Sequence, residues 1–155
     1  MATYTSPPTQ TTGDLITASR WNAVVVENGK VFDAVGFDYI IDAGGGVIPA
    51  GLRPQLKLPY ALSIDNVTAT GDQAGSIEII PLYKATWDSD LLAASDSIVA
   101  SSDNYIHIVT NTVSSDTYPT SWSPTSLAQG GALGFSVVSA TTLTRCTLHF
   151  RCSKV

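Results

Sequence analysis

From Phe37 onward, apolar and polar side chains alternate. Ile77 and Ile79 flank Glu78, and Ile106 and Ile108 flank His107. The last segment sets Cys146, Leu148, Phe150 and Cys152 against Arg145, Thr147, His149 and Arg151. A period of two is that of a strand with one buried face. It predicts strands in "FDYIIDA", "QLKLPYALSIDNVTAT", "GSIEIIPLYKA", "YIHIVTNTV", "GALGFSVVSA" and "LTRCTLHFRCSKV", with Pro59 reducing part of the second to an edge or bend. The connecting segments "TGDQAG", "TWDSD", "SSDN" and "AQGG" carry turn residues. Strands at this spacing with no regular helices between them predict a mainly β domain over residues 37–155, an antiparallel β-sandwich or jelly roll. One short helix is expected in "WDSDLLAASDSIVA", capped by Asp88 or Ser89 and packed through Leu91, Leu92 and Ala94.

The pattern before Phe37 is different. Trp21, Val24, Asn28, Val31 and Val35 recur at 3-4-3-4 spacing, with Thr17 or Ser19 as a start signal and Gly36 as a stop. Residues 1–36 are therefore expected to form a polar arm, "MATYTSPPTQTT", and an anchoring or oligomerisation α-helix. Two readings of that helix stand side by side. It is the seam of a short coiled coil with Asn28 setting register, or an amphipathic helix packed on the domain that follows.

Composition changes this picture in two ways. Only 14% of the 155 residues are charged, against roughly 25% in ordinary soluble domains. A surface of Ser, Thr, Asn and Gly suits a protein of a large assembly. The net charge is −5 with no run of Lys or Arg, so the basic stripe that nucleic acid requires is missing and no nucleic-acid partner is expected. No apolar run approaches the roughly 20 residues that cross a bilayer, so no membrane insertion is expected either. The first twelve residues lack the apolar core of a signal peptide, which predicts folding in a cytoplasm.

The chemistry is sparse. Gly44, Gly45 and Gly46 follow a strand, as in phosphate loops, but "VIPAGLRPQ" comes next, with two prolines and no helix or P-loop lysine. A turn using positive φ is the expectation. His107 and His149 lie on outward strand positions and the two cysteines on inward ones, so no zinc set converges. Cys146 and Cys152, six residues apart on one strand, stand about 20 Å from each other at roughly 3.3 Å per residue. A disulfide needs Cα atoms about 5.5 Å apart, and buried free thiols are expected instead. Asp88, Asp90, Asp96 and Asp103 lack a calcium-loop spacing and read as turn and cap residues. There is no nucleophile elbow, and the only glutamates are Glu27 and Glu78. The chain is expected to be no enzyme, with no cofactor and no metal. Tyr105, Tyr118 and Trp122 remain, in or near the polar loop "SSDTYPTSWSPTS". Tyr118 and Trp122 are candidate exposed anchors for a protein or sugar; equally, they are candidates to plug the end of the sandwich.

Three ordered stretches resemble a small β-domain found at the C-termini of tailed-bacteriophage fibres and surface appendages. They are Ile41–Gly46, the Asp72–Ile77 segment that leads into a strand ending at Lys84, and Thr142–Leu148. The likeness covers residues 39–155, and "GDLITASRWNAVV" is similar to an N-terminal helix of phage structural proteins. Pro81 and Tyr83 depart from the pattern, which usually continues a regular strand with Trp. The resemblance implies a virion surface protein, commonly trimeric, assembled in the bacterial cytoplasm. With its short length, it leads to the expectation of a capsid decoration or head-fibre protein anchored to the major capsid protein. The alternative is a tail-fibre or tail-tip module that binds a host surface glycan or protein.

Overall fold

The computed structural model describes residues 34–88, 90–117 and 119–155. The chain divides into two units, Met1–Val35 and Gly36–Val155; the described residues belong to the second, apart from Ala34 and Val35. The expected arm and most of the expected helix, with Trp21, Val24, Asn28 and Val31, lie outside the described residues.

The fold is mainly β. Its strands are β1 (Ala34–Asp42), β2 (Gly51–Leu52), β3 (Leu56–Lys57), β4 (Leu62–Lys84), β5 (Ile106–Thr117), β6 (Ser126–Leu127), β7 (Ala132–Thr141) and β8 (Arg145–Lys154). They form one sheet in the order β1-β8-β4-β7-β2, with β3 on β7 and both β5 and β6 on β4. Strand β4 organises it. At 23 residues it exceeds the usual strand length of about 3–10. Along one edge β5 follows it from Val67↔Thr117 to Ile79↔Ile106. Along the other, β8 pairs with its first half, Leu62↔Lys154 to Gly71↔Cys146, and β7 with its second half, Ser76↔Thr141 to Lys84↔Ala132. All these pairings are antiparallel.

Residues 71–75 and 142–144 mark the change from one half to the other, and there the sheet curls back on itself. Tyr39 of β1 and Phe150 of β8 come from the first half. Both meet Phe135 of β7 from the second, with ring centroids 4.6 and 5.5 Å away. The sandwich-like core is thus made by two halves of one sheet. Ile77, Ile79, Ile106, Leu133, Phe135 and Leu148 are fully buried within it. The alternation of β8 is realised residue by residue: Cys146, Leu148, Phe150 and Cys152 are buried, while Arg145, His149 and Arg151 are exposed.

Three expectations are corrected. Val35 sits in β1, not at the end of a helix. Gly36 is correspondingly no helix stop. A Cβ at that position would stand 2.9 Å from the Phe150 carbonyl oxygen, so glycine lets β1 run close against β8. "TGDQAG" does not reverse the chain either. It is a bend within β4, with register shifts between Thr70 and Gly75 and between Gly75 and Ile77, and the partner strands carry the pairing past it. Finally, the described residues of "WDSDLLAASDSIVA", which leave out the expected cap Ser89, form only a three-residue 3-10 turn, Ala94–Asp96. Leu92 is buried but Leu91 is exposed. Tertiary pairing overrides the helical propensity here: Ser97 bridges Leu82 and Val99 bridges Trp122, and the Ile98 amide donates to the Pro81 carbonyl at 3.2 Å. The segment lies extended beyond the last β5 pair.

Candidate functional site

Ile41–Gly46, Asp72–Ile77 and Thr142–Leu148, three stretches singled out in the sequence, meet at the bend. Gly44 and Gly45 adopt φ of +67° and +94°, and the Gly44 amide donates to Asp42 Oδ1 at 2.7 Å. From this turn the Ala43 amide donates to the Thr144 carbonyl at 3.0 Å, and the Ile48 amide to the Leu143 carbonyl at 2.9 Å. Asp72 accepts from the Thr144 amide at 3.2 Å and from the Thr144 hydroxyl. Gln73 Nε2 donates to the Thr142 carbonyl, and Thr142 Oγ1 donates to the Ala74 carbonyl at 2.8 Å. Thr142 itself stands at φ +63°, a region that non-glycine residues enter only where the surroundings impose it. Leu143 between them is fully buried.

This is a structural corner. A phosphate site needs a row of free amides at a helix start; here the Gly44 amide is taken by Asp42, and no helix follows. The expected turn with positive φ is what the glycines form. Hydrogen bonds from Thr144 hold the Asp72 carboxyl below the usual carboxylate range, with smaller contributions from backbone amides. Because that pKa is lowered on folding, the ionised form contributes stability above the unfolded value of 3.8. The contribution is lost as pH falls through the folded value. Asp72→Asn should therefore flatten the acid limb of stability against pH, measured by urea denaturation, and change the profile little near neutrality except for a constant offset.

Among the described residues, the remaining candidates do not come together as a catalytic set. Glu78 faces His107 across β4 and β5, and Ser139 Oγ donates to Glu78 Oε2 at 3.3 Å. The carboxylate is thus in the middle of that row, whereas a nucleophile triad needs the histidine between serine and acid. His107 Nδ1 lies 3.1 Å from the Tyr105 carbonyl. His149 Nδ1 lies 2.8 Å from Asp38 Oδ1, so the outward face of β8 is mixed in charge and not simply cationic. Asp88 accepts from the Asp90 amide and Asp96 from the Ala93 amide, and both lie near Lys84 at 3.7 and 4.0 Å. These are turn roles, as expected. Among the described residues no three His, Cys, Asp or Glu side chains gather into a metal-binding group. No helix among them is long and apolar enough to cross a membrane.

Cys146 and Cys152 are free and buried. Burial, with Asp72 nearby, pushes the first thiol up to about 11; burial, with Asp65 nearby, pushes the second up to about 12. Thiolate is the reactive form, so an aromatic disulfide reagent at pH 8 should modify the native chain slowly and at one rate with global unfolding. Rapid labelling of either thiol would contradict this burial.

The proposed aromatic loop is corrected in one residue. Tyr118 lies outside the described residues. Trp122 is only 5% exposed, and its Nε1 donates to the Asn104 carbonyl at 2.9 Å. It plugs the end of the fold and offers no exposed ring to a ligand. Trp122→Ala should cost about 3–5 kcal/mol of stability, as for other buried aromatic truncations, read by thermal or urea unfolding. A loss below about 0.5 kcal/mol would contradict this burial.

One cleft has no sequence signal. About 190 Å³ in volume, it is lined by Leu52, Arg53, Gln55, Leu91 and Leu92, with Leu82 and Phe135 beneath. Arg53 Nη2 donates to the Pro49 carbonyl, while its Nε is buried without a partner. A lone arginine between leucine and proline has no motif around it to mark such a site.

The described residues define a mainly β protein built on one antiparallel, curled sheet. Comparison with protein-family models, with curated proteins and with solved structures finds no match.

Proposed function

We propose that the protein is a non-enzymatic structural protein of a tailed-phage virion, a capsid decoration or head-fibre protein displayed on the particle. The observation that carries this reading is the convergence at the bend. Ile41–Gly46, Asp72–Ile77 and Thr142–Leu148, far apart in sequence, are hydrogen-bonded to one another at one corner. Residues that resemble a family as a set are here a set in space, which is what a shared β-domain requires. The low charge content and the lack of a catalytic row among the described residues agree with a structural role. In this reading the β-domain projects from or cements the shell, and the residues before it anchor the protein to the major capsid protein or assemble it as a trimer. A tail receptor-binding role loses Trp122 as its exposed anchor and rests on Tyr118, which lies outside the described residues.

Immunogold labelling tests the proposal. Antibodies against the purified chain should decorate the heads of tailed particles made by the genome that encodes it. Tail-tip labelling would favour the receptor-binding role, and purified particles that lack the chain would sink both.

A further inference from the structure

Two surface features of the described residues are unspent by the fold, and they complement each other. The first is the Arg53 cleft. Its lips are apolar and open, with Leu91 72% and Leu52 48% exposed. Its polar groups are Gln55 and Arg53; the Arg53 Nε is buried without an acceptor, and the outer part of the guanidinium, whose Nη2 donates to the Pro49 carbonyl, is what a docking group can reach. The ion pairs among the described residues involve Lys84 and His149, so no described carboxylate lies within pairing distance of Arg53. The site therefore suits an aliphatic side chain with a carboxylate beside it.

The second feature carries such groups, on a face where Asp72 and Arg145 also lie beside Ile40. On β1, Asp38, Ile40 and Asp42 share the outward face by strand alternation, and all three are exposed, Ile40 by 61%. Asp38 Oδ1 meets His149 and Asp42 Oδ1 meets the Gly44 amide, which leaves each carboxylate a second oxygen. We propose that a second copy of this chain docks here, seating Ile40 between Leu52 and Leu91 and bringing the Asp38 or Asp42 carboxylate to the Arg53 guanidinium. Charged hydrogen bonds to arginine set orientation, and burial of Ile40, Leu52 and Leu91 supplies the apolar term. Because the cleft and the β1 face are different surfaces, the contact is heterologous, and such contacts close into rings when the rotation allows it. The inference stands apart from the virion reading: labelled particles built from a chain that is monomeric in isolation would keep that reading and remove this one.

Sedimentation equilibrium of the full chain is the test. The unaltered chain should self-associate in the micromolar range. Leu91→Asp and Ile40→Asp, both at exposed positions, should each weaken association about tenfold or more with circular dichroism unchanged. Arg53→Glu should do the same, and adding Asp38→Arg or Asp42→Arg should recover it. A monomeric chain would overturn the proposal. So would association that Leu91→Asp and Ile40→Asp leave intact, as a contact made by the residues before β1 would give. Failure of both charge reversals to rescue Arg53→Glu would also overturn it.

Discussion

Gly75→Ala is expected to lower the unfolding free energy by about 3 kcal/mol, the upper part of the usual range for overpacking. A Cβ at Gly75 would come closer than 3.0 Å to the Thr141 carbonyl and to Thr142 Oγ1, with Leu143 Cγ at 3.1 Å. Neither oxygen is free to retreat. Thr142 Oγ1 is committed to the Ala74 carbonyl, and the Thr142 backbone already stands at φ +63°. The added methyl group therefore pushes on the joint between the two halves of the sheet, where β7 passes into β8. Gly130→Ala is the comparison. It has a φ of +78° but open space around it, so it should show only the conformational cost of about 1–2 kcal/mol. Urea denaturation of both variants reads the difference. If Gly75→Ala costs less than Gly130→Ala, the corner has slack that the geometry denies.

The second large effect is expected at Phe135. Its ring is fully buried and lies between Tyr39 and Phe150 of the facing half; Phe150 in turn stacks on Phe37 at 4.6 Å. Removing it deletes the contact that holds the curl closed. Phe135→Ala should cost about 3–5 kcal/mol, which against a typical total of about 5–15 kcal/mol leaves the domain close to unfolding. Leu91→Ala, at a mostly exposed leucine, should stay within about 0.5 kcal/mol. Equal losses for the two in thermal or urea unfolding would show that the halves do not depend on the Phe135 cluster.

Much of the fold was readable because strand burial has period two. Cys146 to Cys152 was legible residue by residue, and so was the outward placement of both histidines. The glycine triplet was readable as a turn because the residues after it exclude a helix. Other features were misread for reasons local to the chain. "TGDQAG" has turn composition, and nothing within it tells a reversal from a bend; that depends on β5, β7 and β8 pairing across it. "DLLAAS" favours a helix, but the sheet end takes Ser97 and Val99 into bridges. Trp122 sits in a polar, proline-rich loop that suggests exposure, and only the Asn104 carbonyl and the neighbouring strands bury it.

By itself, then, the sequence determined the class of structure: β-rich, antiparallel, sparsely charged, with free buried thiols and no recognisable catalytic motif. These follow from composition and nearest-neighbour spacing, which act along the chain. The tertiary structure alone decided that two strands are one bent strand, that three distant motifs form a single corner, and that Arg53 stands in an apolar cleft with an unmet donor. Those facts depend on which residues become neighbours when the sheet curls, and contacts between positions about 70 apart, such as Asp72 and Thr144, leave no periodic trace in the order of residues.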